Sequence, residues 1–432
     1  MLERYKNSTP KSAKLWNRAT RIFAGGVSHN IRTFGLDRCG AYPPFIVKGD
    51  GSHIWDIDGN EYVDWWMTHF SQILGHNNSN VRNALQAQIE LGSHFGSLTE
   101  SQVILAEKIQ NAIPVLKKLR FCSTGSESTM YATRLARLFT KKALVAKALG
   151  GWHGGNDSLS YHTQYPFADA PFFNGVSFDF NNIDSFDQML NRYKDDLAAV
   201  IVEPVIGAGG ALPPEPDFLP YLREQTEKHG ILLIFDEIIT GFRLCYGSAG
   251  TEIFGVEPDL ITLGKIAGGG MHLGVYGGRE DIMQLAKPGA EGGRWVGGGT
   301  FSSHPMAMTA GIAAMDELYK RRDVYSEMNQ KGDLFRSRLN ILFDESASNI
   351  LATGMGSIVL VNVLKEKLSP PYTTSSLGKA FDKNGQDVFQ SILMEEGVFG
   401  YHGLGALSFA HDKSDLEKTA EAVEVALEVL KG

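Results

Sequence analysis

The middle of this 432-residue chain alternates short apolar runs with segments of helical periodicity, and this alternation restricts the fold more than any other feature. The apolar runs, which we interpret as strands, span residues 119–122, 143–146, 198–203, 231–236, 259–263 and 274–277. Between the first two of them, the segment from Glu127 to Phe139 repeats apolar residues at helical spacing. Such alternation predicts an α/β fold with a mostly parallel central sheet and helices on both faces.

The two ends of the chain differ from the middle. Residues 1–60 combine a helical segment with short strands separated by Asp-Gly turn signals. Residues 320–432 mix helices and short strands, and Ser414 and Glu417 are placed to form a capping box at the start of a final amphipathic helix. We therefore expect a large domain over residues 61–319 and a smaller α+β domain over residues 320–432, which the N-terminal segment joins.

Composition excludes several classes of protein. The formal net charge of −8 argues against a nucleic-acid or anionic-membrane surface. Three scattered cysteines without a CxxC pair fit a reducing compartment. The chain starts without an apolar signal core, and no apolar run approaches the ~18 residues of a membrane span. We expect a cytoplasmic protein.

An acidic residue and a lysine follow successive predicted strands. The run Ile231–Phe235 leads to Asp236, and Lys265 follows the next strand, close to three glycines. Ligands of parallel sheets bind beyond the carboxyl ends of the strands, where Glu203 also falls. This order suits a pyridoxal phosphate site, in which an aspartate keeps the ring nitrogen protonated and a lysine amine bonds the cofactor.

Two other interpretations of this pattern exist. An apolar strand ending in an acidic residue also occurs in P-loop ATPases, but these need Gly-x-x-x-x-Gly-Lys-Ser/Thr to hold phosphates. No such string is present, and Lys265 is followed by Ile266 rather than by a hydroxyl residue. A lone lysine beside glycines is more often a solvated loop residue, so the prediction depends on the whole set of motifs.

Two glycine-containing segments follow the first two strands. Thr124, Gly125 and Ser126, in the segment Ser123–Thr129, offer hydroxyls and backbone N–H groups at a helix start, which suits a phosphate. A plain helix cap is the alternative. Trp152 stands among glycines, where its indole suits stacking on a flat ring, or equally a core position at a turn.

Two further candidates have less distinctive surroundings. Glu203 ends a strand before Pro204, where a carboxylate can orient a neighbouring group or be solvated. Thr300 follows three glycines and precedes two serines, so this loop is either a second phosphate contact or a simple turn.

Taken in order, these motifs resemble class III pyridoxal-phosphate-dependent aminotransferases of fold type I, and most closely the subgroup of glutamate-1-semialdehyde aminomutases. The resemblance covers nearly the whole chain. The segments that carry it are Ser123-Thr-Gly-Ser-Glu127, Trp152-His-Gly154, Ile201-Val-Glu-Pro204, Phe235-Asp-Glu-Ile-Ile-Thr-Gly-Phe-Arg243, Thr262-Leu-Gly-Lys-Ile266 and Gly299-Thr300.

The resemblance implies roles for individual residues. Lys265 is the Schiff-base lysine, Asp236 the partner of the pyridine nitrogen, and Trp152 the stacking aromatic. Ile238 packs behind the ring, and Gly125 and Ser126 belong to the phosphate loop.

The resemblance also implies an assembly and a substrate contact. Thr300 matches a phosphate ligand supplied by a neighbouring subunit, which implies a homodimer. Arg32 matches an arginine that holds a substrate carboxylate, a group that the guanidinium fork suits.

The chain departs from the aminomutase pattern at substrate positions. Ala208 stands where aminomutases have asparagine, and Thr68-His-Phe-Ser71 replaces their Ser-Trp-Gly-Pro. Gly403 stands at about the position where the family has a glutamate. The segment Tyr161–Phe167 is rich in aromatics. These differences favour amino transfer between an amino acid and a separate keto or semialdehyde compound. The alternatives are an intramolecular aminomutase and a non-catalytic protein that retains pyridoxal phosphate.

Overall fold

The computed structural model of the chain describes residues 2–167, 175–290 and 296–431 and divides them into two compact units. The first unit comprises Met1–Asn78, Met328–Lys367 and Ala380–Gly432. The second comprises Ser79–Glu327 and Leu368–Lys379.

The described residues form helices and strands along the whole chain. The helices are α1 Glu3–Ser8, α2 Pro10–Ala19, α3 Met67–Phe70, α4 Ser79–Leu91, α5 Glu100–Ala112, α6 Gly125–Thr140, α7 Ile183–Tyr193, α8 Phe218–Lys228, α9 Ala249–Glu252, α10 Glu280–Met283, α11 Pro305–Lys320, α12 Tyr325–Glu345, α13 Thr374–Ala380, α14 Lys383–Glu395 and α15 Lys413–Lys431. The strands are β1 Ile46–Asp50, β2 His53–Asp56, β3 Glu61–Asp64, β4 Lys118–Cys122, β5 Leu144–Ala148, β6 Val176–Phe178, β7 Leu197–Val202, β8 Leu232–Asp236, β9 Leu260–Gly264, β10 Gly274–Gly278, β11 Ile350–Thr353, β12 Ile358–Val363, β13 Val398–Phe399 and β14 Gly405–Ala406.

The second unit is built on a seven-stranded sheet in the order β4-β10-β9-β8-β7-β5-β6. Strands β5 to β9 pair in parallel, and β10 runs antiparallel to both of its neighbours. Every residue of β7 and β8 is buried, as expected of apolar strands covered on both faces. The predicted mostly parallel sheet is confirmed, and the predicted strands lie within two residues of the observed ones.

The first unit contains two small sheets with helices, in the orders β1-β2-β3-β13 and β11-β12-β14. The boundaries between the two compact units differ from those expected at residues 60 and 320. Strand β3 pairs with both β2 and β13, and beyond it His76 exchanges backbone hydrogen bonds with Gly51, so the chain stays in the first unit as far as Asn78. Residues 368–379 belong to the second unit, where the Thr374 hydroxyl donates to the buried Asp179 at 2.7 Å.

The caps of two helices show how the sequence sets the helix ends. Thr124 caps α6 through a capping box with Glu127, so the cap interpretation of this segment is confirmed. The capping box expected at Ser414 and Glu417 is wrong. Asp412 takes that role and accepts hydrogen bonds from the backbone N–H groups of Ser414 and Asp415, because its carboxylate lies just before the first turn of α15.

Helix α3 is left-handed. Its four residues, Met67 to Phe70, have φ angles between 42° and 68°, a region that non-glycine residues enter at a cost. His69 stacks on Trp66, with 4.4 Å between ring centroids, and this contact helps to hold the turn. The segment contains the departure noted at Thr68-His-Phe-Ser71.

No helix among the described residues is both long enough and apolar enough to cross a membrane.

Candidate active site

The candidate site lies at the carboxyl ends of three adjacent strands of the second unit. Glu203 follows β7, Asp236 ends β8 and Lys265 follows β9. The charges of Asp236 and Glu203 both act on the Lys265 amine. The structure therefore brings together three of the residues that the sequence singled out.

Asp236 is a buried carboxylate held by three donors. Oδ2 lies 2.7 Å from Nδ1 of His153, and Oδ1 accepts from the Thr262 hydroxyl and the Ile238 backbone N–H, both at 3.1 Å. Because a carboxylate can only accept, Nδ1 of His153 is the donor. Burial lowers the pKa of His153, against the influence of Asp236, so the imidazole is neutral at physiological pH. These contacts fix the orientation of the Asp236 carboxylate.

Glu203 is the second buried carboxylate. It accepts hydrogen bonds from the backbone N–H groups of Trp152, at 3.1 Å, and Gly207, at 3.0 Å. Burial and the neighbouring Asp236 carboxylate raise the pKa of Glu203, although both backbone donors and Lys265 oppose this. Glu203 thereby connects the turn that carries Trp152 to the end of β7. Trp152 is 45% exposed, so its indole is accessible to a ligand.

Lys265 presents an amine that has no hydrogen-bond acceptor among the described residues. The residue is only partly buried and begins a short 3₁₀ turn directly after β9, with a φ of 41°. Burial lowers the pKa of its amine, and the carboxylates of Asp236 and Glu203 act in the opposite direction. A lysine with a lowered pKa has more of the neutral amine that acts as nucleophile and base.

The amino end of α6 borders this group of residues. The backbone N–H groups of Gly125 and Ser126 have no acceptor in the described part of the chain, so this helix end can receive an anion. A Cβ atom on Gly125 would lie 2.5 Å from Cδ1 of Ile238, so a larger residue there would require the Ile238 side chain to shift. The predicted residues Gly125, Ser126 and Ile238 thus lie together.

Gly154 gives a direct test of the anion site. A Cβ atom there would lie 2.4 Å from the Ser126 hydroxyl, and its φ of +89° already disfavours other residues. We expect Gly154→Ala to weaken binding of a phosphate-bearing cofactor by roughly tenfold or more, because Ser126 has to move. The control is Gly155→Ala, where nothing lies within 4 Å of the added Cβ atom. Equal affinities of the two variants in a fluorescence titration would contradict this assignment.

Thr300 lines a different cleft of the second unit. This cleft has a volume of about 890 Å³, and its lining includes His94, Gly299, Thr300 and Ser302 but neither Asp236 nor Lys265. The structure therefore does not show Thr300 among the site residues above, and its predicted role in a neighbouring site stays a prediction.

Arg32 belongs to the first unit. It lies on the 3₁₀ turn Asn30–Thr33, is exposed, and its guanidinium has no acceptor among the residues that the structure describes. Its predicted contact with a substrate carboxylate stays a prediction.

Sequence reasoning missed three groups that hold the site. His153 and Thr262 bond Asp236, and the Thr129 hydroxyl donates to the His153 carbonyl at 2.6 Å. A histidine directly after Trp152, in a glycine-rich turn that follows a buried strand, was the available signal. Its partner lies 83 residues away and could not be found from spacing.

Known proteins resemble the chain over most of its length. A family model described as aminotransferase class-III matches residues 38–385. The glutamate-1-semialdehyde 2,1-aminomutase of Methanosarcina acetivorans is 37% identical over 426 residues, which cover 95% of this chain and 97% of that protein.

Solved structures of aminotransferases share the fold. An omega-transaminase from Sphaerobacter thermophilus has a TM-score of 0.87 at 30% identity and covers 98% of each chain. A beta-phenylalanine aminotransferase from Variovorax paradoxus has a TM-score of 0.86 at 28% identity, covering 99% of this chain and 95% of that one.

Proposed function

Because the chain belongs to the class III aminotransferases, enzymes that transfer amino groups with pyridoxal phosphate, we propose that Lys265 and Asp236 carry this reaction here, between an amino acid and a separate keto or semialdehyde compound. The observation that carries the proposal is the Lys265 amine, which has no acceptor among the described residues and lies under the influence of two buried carboxylates.

The residues at the strand ends fit the cofactor. The unpaired N–H groups at the start of α6 suit its phosphate, and the half-exposed indole of Trp152 suits its ring. Asp236, fixed by three donors, offers the negative charge that a cationic ring nitrogen requires. When bound, pyridoxal phosphate supplies the aldehyde that takes up the amino group and a ring that stabilises negative charge on the substrate carbon.

Each of the site residues would have a separate role in the reaction. Lys265 would hold the cofactor through Nζ, and once a substrate amine takes that place, Nζ is free to move a proton from the substrate carbon. Its lowered pKa keeps a share of the amine neutral and able to accept that proton. Asp236 would hold the ring nitrogen protonated, with His153 and Thr262 keeping the carboxylate in place. Glu203 would hold the Trp152 turn against the ring.

Substrate binding and assembly are also proposed. Arg32 would bind a substrate carboxylate with its guanidinium fork. Thr300 would reach the phosphate in the neighbouring subunit of a homodimer. The three cysteines, all free, suit the reducing conditions of the cytoplasm, where we place the enzyme.

Transfer between two molecules is favoured by the departures from the aminomutase pattern, above all Ala208 and the segment Thr68-His-Phe-Ser71. Likeness to an omega-transaminase and a beta-phenylalanine aminotransferase at 28–30% identity supports the same choice. The second candidate is the aminomutase, which the names of relatives at 36–37% identity favour.

Addition of single substrates separates the two candidates. We expect the visible band of the bound cofactor to bleach with one amino acid alone and to return when a keto acid is added, because the amino group leaves with the second molecule. The measurement is absorbance of the purified holoenzyme against a panel of amino acids. Bleaching with glutamate-1-semialdehyde or a diaminovalerate, and with no ordinary amino acid, would assign the aminomutase instead.

A further inference from the structure

Lys147 is a buried charge for which the reaction has no direct use. Among the described residues it is the one lysine with a buried side chain, at 0% exposure. It lies in β5, the neighbour of β7 in the sheet, within a strand that is otherwise apolar. Burying an amine costs free energy unless its environment compensates, so its position calls for an explanation.

The Lys147 amine holds one carbonyl in the turn that follows β5. Nζ donates to the carbonyl oxygen of Gly151 at 2.7 Å and lies 5.2 Å from the centroid of the Tyr161 ring. Burial lowers the pKa of Lys147 to about 7, although the charge of Glu203 opposes this. The amine is thus buried, bonds the turn directly and interacts electrostatically with Glu203.

Gly151 in turn supports His153. A Cβ atom on Gly151 would lie 3.0 Å from Nε2 of His153, so the imidazole rests against the Gly151 backbone. The next residue, Trp152, donates its N–H to Glu203, and His153 donates to Asp236. A shift of the Gly151 carbonyl would therefore disturb the hydrogen bonds that the turn makes to both carboxylates of the site, Glu203 and Asp236.

We propose that Lys147 is a positioning residue: by holding the Gly151 carbonyl, it fixes the turn from which Trp152 reaches Glu203 and His153 reaches Asp236. The inference rests on the proposed roles of those residues around the cofactor. Lys147 would touch neither cofactor nor substrate and would act through the orientation of Trp152 and the Asp236 carboxylate.

The test uses holoenzyme carrying Lys147→Met, which keeps the length and apolar stem of the side chain but removes the donor. We expect the apoprotein to unfold within a few degrees of wild type, since an apolar side chain replaces a desolvated amine. The visible circular dichroism of the bound cofactor should weaken, because its orientation is less well fixed. kcat should fall by about tenfold to a hundredfold with KM unchanged.

Lys142→Met is the matched control. Lys142 also donates to a backbone carbonyl, that of Lys194 at 3.1 Å, and precedes the same strand. In the described part of the chain, its amine makes no hydrogen bond to the turn after β5. We expect this variant to keep the dichroism and the kcat of wild type.

Four outcomes would overturn the proposal or its premise. A folded Lys147→Met enzyme with wild-type dichroism and kcat would refute the positioning role. Lys147→Leu, which likewise lacks a donor, replaces it should the methionine variant not fold. A folded leucine variant with wild-type dichroism and kcat would refute the role, and unfolding of both variants would assign Lys147 to stability alone and equally refute the role. A wild-type protein that shows no cofactor band would instead contradict the proposed function.

Discussion

Replacement of Lys265 with alanine is expected to abolish amino transfer and leave the fold intact. The amine has no acceptor among the described residues, so its loss breaks no hydrogen bond there and removes a group whose charged form is disfavoured by burial. Loss of the group that both holds the cofactor and moves the proton should lower kcat by roughly 10⁴-fold or more. The measurement is steady-state turnover with the donor identified by the spectral screen, alongside thermal unfolding of the apoprotein.

The matched control for this change is Lys287→Ala. Lys287 is an exposed lysine of the same unit, and its truncation should leave turnover at the wild-type level. A Lys265→Ala enzyme that turns over at a rate near that of the control would contradict the role of Lys265.

Replacement of Asp236 with alanine is expected to weaken both the hold on the cofactor and the chemistry. A buried pair that loses one partner typically costs about 3–5 kcal/mol, which here corresponds to a Kd for pyridoxal phosphate that is weaker by roughly 10²-fold to several thousandfold. Turnover should fall further at saturating cofactor, because the ring nitrogen loses the anion that keeps it protonated. Equilibrium binding to apoprotein and kcat at saturating cofactor measure the two effects separately.

Asp259→Asn serves as control for the loss of a buried carboxylate as such. Asp259 is 5% exposed, accepts hydrogen bonds from Arg223 and Arg279, and precedes β9, at the strand end remote from the site. We expect its loss to lower thermal stability and to leave the affinity for the cofactor unchanged. If Asp236→Ala behaved in the same way, Asp236 would be a structural residue only.

The sheet and the strand ends were predictable from sequence because both depend on local patterns. Apolar runs of strand length are buried on both faces of a parallel sheet, and the residue after each run must lie at its carboxyl edge. The positions of Asp236 and Lys265 on one edge of the sheet therefore follow from the order of residues along the chain.

The contacts that hold those residues were not predictable, because they depend on pairs that are distant in sequence. The bond between His153 and Asp236 links the turn after β5 to the end of β8, and β7 lies between these two strands in the sheet. Lys147 interrupts an apolar run, and its partner becomes apparent only when the following turn folds back over it. The left-handed turn at Met67–Phe70 contains no glycine from which its positive φ angles could have been predicted.

The most direct test of the central claim is to identify the lysine that bonds the cofactor. Holoenzyme is reduced with borohydride and digested, and mass spectrometry locates the pyridoxyl group. We predict that Lys265 alone carries the label. Label on Lys147, the other lysine of this region with a lowered pKa, or on no lysine at all, would contradict the assignment of Lys265 and the mechanism built on it.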